Sequence, residues 1–199
     1  RLSLVILNEK IYFNNSLGDI SAVDINNGNL LWQTPTQSSL AFDTGFFLKT
    51  SDVVADKEAL FFSNNQNQFF SLDIQTGNLN WKQEINSNLR PVIINDLIFT
   101  ISMEGYLIIM EKNTGNIIRS NYLLNKFKAK NRPKIKPTGF IVGNKNIYLS
   151  SNIGRLLVID IANGETRTIL KIDNKKISRP AIFNKNLYLI TDNSIIKLN

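Results

Sequence analysis

The chain repeats itself, and this constrains its fold more than any other feature. The segments Lys10–Trp32, Ala59–Trp81, Leu97–Arg119 and Asn146–Thr168 align without gaps. One position of the unit is aromatic: Tyr12, Phe61, Phe99, Tyr148 and Tyr188 recur at intervals of 49, 38, 49 and 40 residues. A period of about 40–50 residues built only from short β-prone runs specifies stacked sheets of the propeller kind, not a helical solenoid.

Within the first unit, Ser3–Leu7, Ile11-Tyr12-Phe13, Ile20–Ile25 and Asn29–Gln33 read as strands, separated by polar residues, Gly18 and the turn Asn26-Asn27-Gly28. The later units start with matching strands at Asp52–Ala55, Pro91–Ile94, Gly139–Val142 and Pro180–Phe183. Four strands make one blade. The expected fold is therefore all-β: four full four-stranded antiparallel blades, approximately 1–35, 51–86, 90–121 and 138–173, then a three-stranded fifth over 179–199. The fifth unit stops after Ser194–Leu198 without an outer strand, and no spare strand precedes the first unit. That mismatch leads us to expect part of a larger, eight-bladed propeller whose remaining strands lie upstream.

The hairpin turns carry a sharper pattern. Ala22-x-Asp24-x-x-x-Gly28-x-x-x-Trp32 returns as Ser71-x-Asp73 with Thr76, Gly77 and Trp81, then as Glu111 with Thr114 and Gly115, then as Asp160 and Gly164. A short acid can accept the N–H groups of its own turn. Glycine leaves backbone bare for a ring to approach, and indole offers a broad apolar face with one N–H that needs an acceptor. These residues are read as turn formers and blade contacts, not as catalytic acids. Arg119 and Thr168 replace the tryptophan in units three and four, where different, less tight packing is expected. The Asp24–Gly28 stretch fails as a calcium loop, because its glycine comes at the fifth position and no bidentate glutamate follows.

This turn pattern resembles the tryptophan-docking motif of the quinoprotein (PQQ-type) propeller family. Within it, the order of features is most similar to the C-terminal half of the outer-membrane assembly lipoproteins of the BamB family. Those features are the docking unit ending at Trp32, a long loop, a second docking unit ending at Trp81, the short join Asn88-Leu89-Arg90-Pro91, and the Ser178-Arg179-Pro180 start of the last unit. The resemblance implies a non-enzymatic, periplasmic, outer-membrane-associated scaffold. Its expected partner is the periplasmic part of the barrel-assembly translocase, and its lipid anchor would lie outside this chain. No cofactor and no nucleic acid is expected.

Composition narrows the chemistry. The chain has no cysteine and no histidine, so it lacks thiolate ligands, imidazole ligands and the commonest general base. A net charge of +7 favours anionic partners, although a Lys- and Asn-rich alphabet from an AT-rich genome yields the same balance.

Two segments are candidate sites. The connection Thr34–Ser51 is nearly twice the ordinary length and holds Leu40, Phe42, Phe46, Phe47 and Leu48, with Asp43 and Asp52 as the acids matching the family's docking residues. Its apolar groups either meet a protein partner or fold back over a blade edge. In Leu124–Pro137, Lys126, Lys128, Lys130, Arg132, Lys134 and Lys136 alternate, so an extended segment would present all six on one side, toward anionic lipid or an acidic partner. The bland reading is a solvated basic loop. Two other functions stay open: a PQQ-dependent quinoprotein dehydrogenase, for which no calcium ligands or catalytic acid can be assigned, and a recognition propeller of a larger protein.

Overall fold

The computed structural model describes residues 3–15, 18–36 and 49–198. Among the described residues, nineteen strands fall into five antiparallel sheets, each in simple chain order. The first holds β1 (Leu4–Leu7), β2 (Lys10–Asn14), β3 (Ile20–Asp24) and β4 (Leu30–Thr34). The second holds β5 (Val54–Ala55), β6 (Ala59–Asn64), β7 (Gln68–Asp73) and β8 (Leu79–Gln83). The third runs through β9 (Val92–Ile94), β10 (Leu97–Ile101), β11 (Tyr106–Glu111) and β12 (Ile117–Tyr122). The fourth runs through β13 (Pro137–Val142), β14 (Asn146–Ser151), β15 (Arg155–Asp160) and β16 (Thr166–Lys171), and the fifth has three strands, β17 (Ala181–Phe183), β18 (Asn186–Ile190) and β19 (Ile195–Leu198). These are the blades of a β-propeller.

Because each sheet is antiparallel and in chain order, its ends are chemically different. The turn between second and third strands and the connection to the next sheet share one end. The other two turns share the opposite end. At that opposite end the acid-to-glycine turns share one geometry. Gly28, Gly77 and Gly115 donate their N–H to the carbonyls of Asp24, Asp73 and Glu111, and Gly164 donates to Asp160, at 2.8–2.9 Å. All four glycines have φ of 73–74°, a conformation that costs other L-residues about 1–2 kcal/mol. The pairing shifts register at the same rung each time, between Ala22 and Val23, Ser71 and Leu72, Ile109 and Met110, and Val158 and Ile159.

Leading strands start later than the sequence suggested in four units, and the reason is local. Ser51 accepts the Ser63 N–H on its Oγ at 2.9 Å and donates that hydroxyl to the Asp52 carbonyl, so side-chain bonds stand where ladder bonds would. Ser178 does the same with Ile190 and Arg179. Pro91 and Pro180 have no N–H to give. In the fourth unit β13 begins earlier, at Pro137.

The chain divides into two compact units, residues 1–96 with 111–116, and residues 97–110 with 117–199. In the first, Tyr12, Ile20 and Ala22 of one sheet interleave with Val53, Leu60, Phe62, Phe70, Leu72 and Ile74 of the next, all buried. In the second, Leu156 and Ile177 pack on Leu187 and Leu189.

The glycine turns complete the contacts inside each unit. A Cβ added to Gly77 would lie 2.5 Å from the Trp32 ring, and one on Gly115 would lie 2.6 Å from the Trp81 ring. Gly28, by contrast, has no atom within 4 Å of that position. Gly77→Ala should therefore cost about 3 kcal/mol or more, from backbone strain plus overpacking, while Gly28→Ala should cost about 1 kcal/mol from strain alone. Urea unfolding of the two variants measures the difference; equal losses would refute the ring contact.

Candidate functional site

The docking contacts set the frame for any surface the protein presents. Asp24 accepts the N–H groups of Asn26 and Asn27, Asp73 those of Gln75 and Thr76, and Asp160 that of Ala162. Glu111 accepts the Thr114 hydroxyl at 2.7 Å. These bonds hold Asp73 below the usual carboxylate range, chiefly through the Thr76 hydroxyl, and hold Asp160 low through the Ala162 N–H and then Arg167. All four acids are thus occupied within their own turns.

The incoming side chains use two anchor points. The Trp81 indole N–H donates to the Lys112 carbonyl at 2.9 Å, and two residues on, the Gln83 amide donates to the Gly115 carbonyl at 3.0 Å. Thr34, two residues after Trp32, donates to the Gly77 carbonyl at 2.7 Å. Trp32 Nε1 is buried without a hydrogen-bond partner among the described residues.

Arg119 departs from the expectation of looser packing. Its Cδ lies 3.3 Å from where a Gly164 Cβ would be, and its guanidinium donates to the carbonyls of Ala162, at 2.7 Å, and Ile161. Asn121, two residues on, sits closer still to that glycine. The guanidinium therefore takes over the carbonyl-bonding role of the indole N–H, while the Asn121 amide covers the glycine. The Thr/Gln/Asn position was not singled out in the sequence, though its place two residues after the docking residue is a usable signal.

Beside the Trp81 contact Asp56 and Lys112 form an ion pair at 2.9 Å, each about one-fifth exposed. Burial alone would raise the Asp56 carboxyl, but hydrogen bonds from Lys112 and from the Glu58 and Ala59 N–H groups hold it below its usual value. The bond to Asp56 raises Lys112 in turn.

Of the candidate partner loop, Leu40, Phe42, Asp43, Phe46, Phe47 and Leu48 lie outside the described residues. Its flanks are pinned: Thr36 donates its hydroxyl to the Gly18 carbonyl at 2.6 Å, and Lys49 and Asn65 exchange two bonds at 2.8 and 3.0 Å. Asp52 is half-buried between buried Ser51 and Val53.

The basic segment is not extended, which corrects the one-sided alternation expected for it. Ala129–Lys134 form a 3-10 helix. Arg132 folds back, donating to the carbonyls of Phe127, at 2.9 Å, and Asn125, at 2.7 Å, with its guanidinium 5.9 Å from the Tyr122 ring centre. Lys126 donates to the Arg167 carbonyl. Lys128, Lys130, Lys134 and Lys136 remain exposed. An arginine that satisfies two carbonyls of the preceding turn, with a ring beside it, outweighs the extended form.

With this geometry in hand, the family model described as outer membrane protein assembly factor BamB matches residues 1–121. The chain belongs to the BamB family. No curated protein sequence matches it. Among solved structures, BamB from Moraxella catarrhalis is similar at 14% identity and a TM-score of 0.60, over 98% of this chain and 70% of that one. The computationally designed Ika8 protein is similar at 14% identity, with a TM-score of 0.74 over 98% and 57% of the two chains. The Cps50 (Swd1) β-propeller domain of Myceliophteria thermophila is similar at 11% identity, with a TM-score of 0.73 over 98% and 63%. At such identities the likeness is one of fold. The chain spans 57–70% of the length of these structures.

The Asp56–Lys112 pair makes a family scaffold's stability depend on pH in a definite sense. Asp56 titrates lower folded than unfolded, so its contribution is present above the unfolded value, about 4, and is lost as pH falls through the folded value. Lys112→Met should destabilise the protein at neutral pH, with the gap to wild type closing on acidification. Urea midpoints from neutral pH downward test this; a gap constant with pH would exclude the pair as a stabilising contact.

Proposed function

We propose that the protein is a non-enzymatic scaffold that docks on a protein partner during assembly of β-barrel proteins at the outer membrane, from the periplasmic side. The observation that carries this reading is the family match over residues 1–121, with an all-β blade fold beneath it. The partner is the periplasmic part of the barrel-assembly translocase, and the membrane link is a lipid anchor outside this chain. The turn acids support a scaffold over an oxidoreductase, since each is already an acceptor for its own turn. Added PQQ with calcium should accordingly give no stoichiometric cofactor spectrum.

The docking surface is the long connection after Trp32, with Leu40, Phe42, Phe46, Phe47 and Leu48 as apolar anchors and Asp43 and Asp52 as the acidic rim. Aromatic anchors dominate the energetics of such contacts, and losing two of them typically costs at least 2 kcal/mol. In a pull-down against the translocase's periplasmic domains, Phe46→Ala/Phe47→Ala should bind at least about 10-fold more weakly than wild type, with an unchanged melting curve. Wild-type binding by the double variant would remove the loop from the interface.

A further inference from the structure

The positive charge of this chain is not spread along it. The first unit carries 7 Lys and Arg against 11 Asp and Glu, and the second carries 16 against 5. Genome composition acts on both alike, so an AT-rich alphabet explains the lysine total but not a division into an acidic and a strongly basic unit.

Within the second unit, arginine and lysine serve different ends. Arg119, Arg132, Arg155 and Arg179 each donate to backbone carbonyls of their own unit, and Arg167 pairs with Asp160. Lys128, Lys130, Lys134, Lys136, Lys171 and Lys176 are exposed and have no side-chain hydrogen bond or ion pair among the described residues. All six belong to two connections, from β12 to β13 and from β16 to β17, or to the strand end beside them. These connections lie at the same end of their sheets.

The two connections also flank one turn and are bonded to it from both sides. Asn152 donates to the Lys134 carbonyl at 3.0 Å and accepts the Lys136 N–H at 2.7 Å. Two residues later the Gly154 carbonyl accepts the N–H groups of Ile172 and Asp173, and Arg155 ties Ile153 to Asp173. The lysines therefore stand on a braced surface. The acids there are few: Asp173 accepts the N–H of Asn174 and Lys175, Asp192 pairs with Lys175 at 2.9 Å, and Glu104 lies in the β10–β11 turn.

We propose that this end of the second unit is a docking surface for an anionic lipid bilayer. Free ammonium groups are compact, hydrated point charges without the fork that reads one fixed carboxylate or phosphate. They suit a fluid array of headgroups that can move to meet them. A nucleic-acid surface would interleave aromatic residues for stacking, and the two connections hold only Phe127, which is half-buried. Each lysine brought to an anionic leaflet contributes about 1 kcal/mol, within a Debye length. The proposal does not depend on the protein partner named above.

Sedimentation of the full chain with phosphatidylcholine vesicles, with and without phosphatidylglycerol, tests it at low and high sodium chloride. Binding should require phosphatidylglycerol and weaken with salt. Lys128→Gln/Lys130→Gln/Lys134→Gln/Lys136→Gln should reduce it roughly 100-fold, and Lys171→Gln/Lys176→Gln should give a smaller loss. The control Lys57→Gln/Lys82→Gln/Lys145→Gln/Lys185→Gln removes equal charge elsewhere and should bind nearly as wild type. Thermal unfolding of each variant checks folding. Equal loss in the control, equal binding to neutral vesicles, or capture by polyglutamate or duplex DNA in preference to vesicles would each overturn the proposal.

Discussion

Three contacts between neighbouring sheets, at Gly77, Gly115 and Gly164, depend on a place where the backbone has no side chain. The acid-to-glycine turn exposes a peptide face and a carbonyl, and a planar group from the preceding sheet lies on it. Trp32 and Trp81 do so with a ring; on Gly164 the Asn121 amide does, with the Arg119 guanidinium bonded to carbonyls of the same turn. The glycine conformation, the accepting acid and the recurrent register shift are one device: the first permits the bend, the second satisfies its N–H groups, and the third aims the outer strand. Apolar interleaving such as Tyr12 against Leu60 and Phe62 supplies the area, but the turn fixes the register at which it happens.

Much of this was visible before any coordinates. The spacing of Tyr12, Phe61, Phe99, Tyr148 and Tyr188 sets the unit, and alternation within it sets four strands, because a blade's period is written in its own residues. Strand beginnings were less legible. Ser51 and Ser178 replace ladder bonds with side-chain bonds twelve residues away, a pairing that no local propensity reveals. Packing at Arg119 does differ from that at the tryptophans, but it is not loose, because its guanidinium bonds two carbonyls of the receiving turn. The extended form assigned to Lys126–Lys136 failed because alternation describes only where side chains would point in a strand, and Arg132 has carbonyls of Asn125 and Phe127 to satisfy. Length and apolar content single out the connection that holds Phe46 and Phe47.

The two units divide chemical labour as well as charge. In the second, arginine is consumed internally, as a brace for carbonyl-rich turns, and lysine is left facing water. A fork with several fixed donors is worth most where acceptors are rigid. A single mobile ammonium is worth most where they are not. A total such as +7 hides this arrangement entirely.

The bareness of the receiving turn has an evolutionary corollary. When both halves of a contact are side chains, a change on one side can be answered by a change on the other, and the pair leaves a correlated trace among relatives. Here one half is glycine backbone and offers nothing to vary. Trp32, Trp81 and Arg119 all reach a glycine turn, so the incoming residue changes from one seam to the next while the glycine does not, and methods that infer proximity from paired substitutions would pass over contacts of this kind.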